Sequence, residues 1–115
     1  MDIFDIGQLV SQRAESDRAY LEFFRRPSLS MGIYHLRVGE LDKPQPHSED
    51  EIYYVVAGRA TVRIGVEDRP VAPGSIVFVA AKVDHRFHSI TEDLTLLVLF
   101  APVEGHGDTV RSIQS

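Results

Sequence analysis

From residue 19 onward, turn-forming residues cut this chain into short apolar runs, and that spacing constrains the fold more than any other feature. Tyr20, Glu22 and Phe24 alternate with Leu21 and Phe23 until Pro27 stops the run. Residues 28–38 form a second run, ended by Gly39. Residues 52–57 are rich in Tyr and Val, Gly58-Arg59 reads as a turn, and residues 60–64 read as its hairpin partner, ended by Gly65. Residues 69–72, 75–80, 85–90 and 94–101 complete a set of about eight short strands, with Pro73-Gly74 as a further turn. A chain divided in this way is expected to be all-β, a sandwich or a barrel. The run Leu94-Thr95-Leu96-Leu97-Val98-Leu99-Phe100 is apolar on both faces, as a central, doubly covered strand requires.

A short helix over about residues 3–13 is expected ahead of the strands. Asp5 is a good N-cap, Gln8 completes a capping-box pattern, and Phe4 with Leu9 has the spacing of a hydrophobic staple. Gly7 weakens the helix by up to ~1 kcal/mol. Its apolar face is too narrow to stand alone, so it should lie on the barrel or on a partner. The 115 residues suit one domain, with a barrel core over about 19–102 and a polar tail over 103–115.

Composition narrows the function classes. The chain has no cysteine, which excludes disulfides and thiolate metal sites and suits a cytoplasmic protein. Its longest nearly uncharged apolar run, 94–103, falls short of the ~20 residues of a membrane helix. The acidic start Met1-Asp2-Ile3-Phe4-Asp5 lacks the pattern of a signal peptide. A net charge of -5 with only one adjacent basic pair, Arg25-Arg26, argues against nucleic acid as a partner. A small molecule or a second copy of the chain is the expected partner. A homodimer is expected in particular, because residues 20–24 carry aromatic side chains on both faces of what should be an edge strand.

Of the five histidines, His47 is the most informative. It stands four residues before Glu51, where a Pro-containing loop enters an apolar strand. Strand periodicity places Gln45, His47 and Glu51 on the face of Tyr53 and Val55, which should point inward. A carboxylate buried in a barrel is costly unless it is paired or bound to a cation, and a metal answers that need. Mixed His and carboxylate donors with open positions suit Fe(II), Mn, Ni or Zn. Two members of the acidic run Glu49-Asp50-Glu51 are expected to be solvated. His88 is three residues from His85 and so faces the other side of its strand. His35 shares a face with Met31, Ile33 and Arg37 and is a candidate pocket residue. Tyr53, Phe87 and Phe100 are candidates for the pocket wall or core, and His106, in the tail, is assigned no role.

These residues resemble the two motifs of the cupin superfamily. The first motif is Gly, five residues, His-x-His, three or four residues, Glu, six residues, Gly; here Gly39, Gln45, His47, Glu51 and Gly58 stand at those intervals. Gln45 replaces the usual first His. In the second motif, Gly74 and His85 match in register, while Ala80, Lys82 and Ser89 stand at the Pro, Gly and Asn positions. The resemblance spans roughly residues 28–102. It implies a double-stranded β-helix, or jelly-roll barrel, with one divalent metal near its middle. By position, His47, Glu51 and His85 carry over as ligands, with Gln45 in the remaining ligand position as a possible fourth.

The similar proteins include dioxygenases, isomerases, epimerases and lyases, and oxygenase-like chemistry is the slightly favoured expectation among them. The resemblance therefore implies a small metalloenzyme acting on an oxygen-rich organic substrate, with Glu51 either a fixed ligand or a base. A barrel that binds a ligand or metal without turnover, and a scaffold with a degenerate site, are the other readings. Gln45→His restores a three-His, one-Glu donor set and is expected to tighten binding of Zn, Ni or Fe. A competition titration with a chromophoric chelator checks this; equal affinities for the wild type, Gln45→His and Gln45→Ala would mean that Gln45 is no ligand.

Overall fold

The computed structural model describes residues 1–43 and 47–103. The helix α1 runs over Ile6–Ser16, three residues later than expected at each end. Asp5 caps it as predicted, its carboxylate accepting from the Gln8 N–H at 3.0 Å. Phe4 sets its ring against Phe23 and Phe24, with centroids 4.9 and 5.9 Å away. The helix packs on the first two strands and buries Leu9. No helix among the described residues is long and apolar enough to cross a membrane.

Six strands follow: β1 (Tyr20–Arg26), β2 (Leu29–Leu36), β3 (Asp50–Ile64), β4 (Glu67–Val71), β5 (Ile76–Val79) and β6 (His85–Ala101). They pair in the order β1-β2-β6-β3-β4, with β5 on the first half of β3. Every pairing is antiparallel. Side chains from all six strands meet in one core, including Tyr20, Leu36, Val62, Val71, Val79 and Phe87, so the sheet closes on itself as a jelly-roll barrel. The doubly apolar run at residues 94–100 lies in β6, between β2 and β3, which is the central position expected of it.

The expected eight strands are six because two expected breaks do not break the chain. Gly58-Arg59 is no hairpin turn: β3 continues through it, paired with β6 along its whole length, from Asp50↔Ala101 to Ile64↔His85. Residues 85–90 and 94–101 likewise join as the single strand β6. The ladder accommodates the bend through register shifts between Val55 and Thr61. Gly58 sits at that corner with φ +96°. A Cβ there would drive into the Asp93 carbonyl oxygen and come within 2.7 Å of Leu94 Cα. The glycine is thus needed for a close crossing of two backbones as well as for its dihedral.

Two departures from the second motif also become intelligible. Lys82 and Ser89, at the family's Gly and Asn positions, keep the left-handed backbone those residues favour, with φ of 69° and 51°.

Gly58→Ala is expected to destabilise the fold by about 2–4 kcal/mol, through backbone overlap and an unfavourable φ. Gly65 has φ +60° with open space around it, so Gly65→Ala should cost only about 1 kcal/mol. Urea denaturation of both variants measures the difference; equal losses would mean that Gly58 matters only through its dihedral.

Candidate metal centre

Period-two alternation turns the odd-numbered residues at the start of β3 inward. Glu51, Tyr53 and Val55 are buried, and His47, just ahead of the strand, is buried with them. Backbone bonds fix this entry. The Lys82 N–H donates to the His47 carbonyl oxygen, and the Ala81 N–H donates to Asp50 Oδ1 at 2.9 Å. The turn after β5 is thereby tied to the start of β3, and His85 follows that turn as the first residue of β6.

Three side chains converge there. Glu51 Oε1 lies 3.0 Å from His85 Nε2 and 4.0 Å from His47 Nε2. One donor atom from each of the three lies within 4.8 Å of the others. The His85 Nδ1 lies 3.0 Å from the Val83 carbonyl oxygen. A carbonyl only accepts, so Nδ1 carries the proton and Nε2 turns its lone pair to the interior. Phe100 walls the other side, its ring 5.1 Å from that of His47.

Glu51 is 1% exposed, yet neither of its carboxylate oxygens has a hydrogen-bond partner. His85 Nε2 is near but aligned on the Tyr53 hydroxyl, 3.1 Å away. Burial lowers the His85 pKa, but the Glu51 carboxylate, the Val83 carbonyl and Asp42 outweigh it, and the net shift is upward. A buried carboxylate without donors, facing two imidazoles, fits a cation held by all three.

The other expected site residues divide into two groups. Tyr53 and Phe87 stack edge to face, with centroids 4.9 Å apart, and belong with Phe100 to the buried wall. His35 does not join them. It lies on the face of β2 opposite Tyr34 and Leu36, near Thr95, and lines a separate cavity with Arg13 and Arg37. His88 also faces out, 2.8 Å from Asp68. Gln45 and His106 lie outside the described residues.

Three polar residues escaped the sequence reading. Asp42, within the spacer of the first motif, accepts from the Phe87 N–H at 2.8 Å and from the Tyr34 hydroxyl at 2.9 Å. Burial raises the Asp42 pKa against these two bonds, and burial with Asp42 raises that of Tyr34. Burial and Glu51 likewise hold the Tyr53 phenol neutral. Glu49 is buried, with Ser48 Oγ donating to its Oε2 at 2.7 Å. Only Asp50 of the acidic run is exposed, because 47, 49 and 51 share the inward face. A signal for Glu49 was present in that alternation. Beside His85 a cavity of about 420 Å³ opens, lined also by Arg63, Gly65, Asp84 and Arg86.

Known proteins agree with this architecture. The cupin-domain family model matches residues 32–101. The uncharacterized protein SCO3923 of Streptomyces coelicolor is 47% identical over 104 residues, covering 90% of this chain and 99% of that protein. The crystal structure of TT1209 from Thermus thermophilus is 28% identical with a TM-score of 0.76, covering 90% of this chain and 99% of that one. The DMSP lyase DddQ from Ruegeria pomeroyi is 26% identical with a TM-score of 0.68, over 75% of this chain and 48% of that one. With the family match spanning most of a barrel that carries both motifs in register, the chain belongs to the cupin family.

Proposed function

We propose that His47, Glu51 and His85 hold one divalent metal ion, and that the protein is a small metalloenzyme acting on an oxygen-rich organic substrate beside it. The observation that carries this reading is the buried Glu51 carboxylate, which lacks hydrogen-bond donors and faces two imidazoles. The donor set suits Fe(II), Mn, Ni or Zn. A bound ion supplies a Lewis acid for a carbonyl or hydroxyl oxygen of the substrate. The chain supplies the proton chemistry. Tyr53, neutral and 3.1 Å from His85, can donate a proton inside the barrel. Asp42 accepts from Tyr34 and holds that hydroxyl in place. Arg63 and Arg86 at the mouth favour a substrate that carries a carboxylate. The likeness to a protein named as a lyase supports elimination ahead of the oxygenase-like chemistry that the sequence favoured.

We also propose a homodimer, through a different surface from the edge the sequence suggested. The apolar residues of β1 are half-buried, and Phe4 covers Phe23 and Phe24. The outer face of β3 and β5 is open instead. Ile52↔Phe78 and Tyr54↔Ile76 are cross-strand partners, and these side chains are 37%, 58%, 39% and 72% exposed. They offer on the order of 400 Å² of apolar surface, about half of one partner's share in a standard dimer. Half-buried Val56, Leu97 and Leu99 extend the patch. None of these residues is charged, so the patch can pack on its own copy without repulsion.

Elemental analysis after mild purification tests the metal. About one ion per chain is expected in the wild type and in His88→Ala, and little in His85→Ala. Equal loss in both variants would mean that the ligand set is wrong. Glu51→Gln should lower stability when metal is present. In chelator it should raise it by about 1–3 kcal/mol, because a buried carboxylate without a hydrogen-bond donor is gone. Oxygen uptake and turnover of a panel of enolisable carboxylic acids then test catalysis; a metal-loaded protein inert in both assays would point to a binding barrel.

Light scattering tests the dimer. A particle of twice the chain mass of 12.9 kDa is expected, reduced to the single mass by Phe78→Asp. A clean monomer for the wild type at ~10 µM would rule the dimer out.

A further inference from the structure

A second cavity, about 280 Å³, lies between the last turn of α1 and the end of β2. Arg13, Asp17, Arg18, Ala19, His35, Arg37 and Glu40 line it, and it shares no residue with the cavity beside His85. We propose that this cavity is a separate binding site for a small oxyanion, the carboxylate or phosphate group of a metabolite.

Three arginines line it, although the chain as a whole has a net charge of -5. Among the described residues, none of the three forms an ion pair. Two of the neighbouring carboxylates accept from backbone N–H groups. Glu40 Oε1 accepts from the Arg37 backbone N–H at 2.8 Å, and Asp93 Oδ1 accepts from the Val38 N–H at 2.9 Å. Asp17 caps the helix through its backbone, with φ 61°, and its carboxylate joins that of Glu40 in the lining, where three arginines outnumber the two acids.

Arg13 is held in place at the cavity wall. Its Nη1 donates to the Arg18 carbonyl oxygen at 2.7 Å, which fixes the guanidinium plane. Its Nε–H is buried and has no acceptor. That nitrogen is closed off from the cavity, so the donors an oxyanion there would meet are the outer N–H groups of Arg13 with those of Arg18 and Arg37. His35 adds a neutral partner. Burial and the charge of Arg13 lower its pKa, and its Nδ1 lies 3.3 Å from Thr95 Oγ1, which leaves Nε2 for the cavity. Planar guanidinium forks match carboxylate and phosphate oxygens two at a time. At about 280 Å³ the space falls just short of the usual small-molecule pocket and has room for more than a bare ion.

Calorimetric titration of the 115-residue chain, as purified, with inorganic phosphate and separately with succinate tests the site. Saturable binding by at least one of the two is expected, and which one identifies the group. Arg18→Gln and Arg37→Gln alter exposed residues and should fold normally; each should weaken binding about tenfold or more, with metal content unchanged. Arg63→Gln, at the other cavity, should leave the affinity as it is. No saturation by either anion up to about 10 mM would overturn the proposal. So would binding that Arg63→Gln abolishes and Arg37→Gln spares, because the anion would then sit at the mouth of the barrel.

Discussion

The pairing of β3 with β6 is the constraint on which the rest of the molecule depends. Both are far longer than their neighbours, and they stay paired from Asp50↔Ala101 to Ile64↔His85. In a flat sheet, that register would hold Glu51, opposite Phe100, far along the ladder from His85. Their side chains instead stand 3.0 Å apart. The long ladder must therefore fold over, and it does so at Gly58, where the register shifts and the backbones touch. The corner that closes the barrel is also what assembles the candidate metal centre.

Closure sets the electrostatics of the interior. Two imidazoles, two phenols and the carboxylates of Glu51 and Asp42 are gathered among Phe87, Phe100 and aliphatic strand residues. Most of these polar groups are satisfied: Asp42 by the Phe87 N–H and Tyr34, His85 by Val83 and Tyr53. Glu51 is the exception. A polar network inside a barrel is stable only when its members are paired, so the unmet member marks where a ligand is needed. The surrounding phenols, held neutral by burial, provide proton donors without adding charge to the centre.

The outer surface separates two kinds of chemistry. The face of β3 and β5 is apolar and uncharged, while the junction of α1 with β2 gathers arginines. Both depend on residues that alternate with the core positions of the same strands. Tyr54 alternates with Tyr53 and Val55, and His35 with Tyr34 and Leu36. A strand buried on one face thus leaves the other face free to carry different chemistry at no expense to the core.

The sequence by itself determined the fold class, the inward set His47, Glu51 and Tyr53, and the opposed faces of His85 and His88. These rest on turn residues and on the period of two, both local properties of the chain. Local signals also misread Gly58-Arg59 as a turn, because a glycine at a barrel corner and one in a hairpin carry the same letter. The face of His35 was not legible either. Both faces of β2 are apolar, since α1 and the core cover it from opposite sides and bury Ile33 as well as Leu36. Tyr34 and Asp42 entered the site unannounced, eight residues apart and joined by one hydrogen bond. Only the tertiary structure decided these points, because each depends on which distant backbone crosses above the residue, and no periodicity along the chain records that.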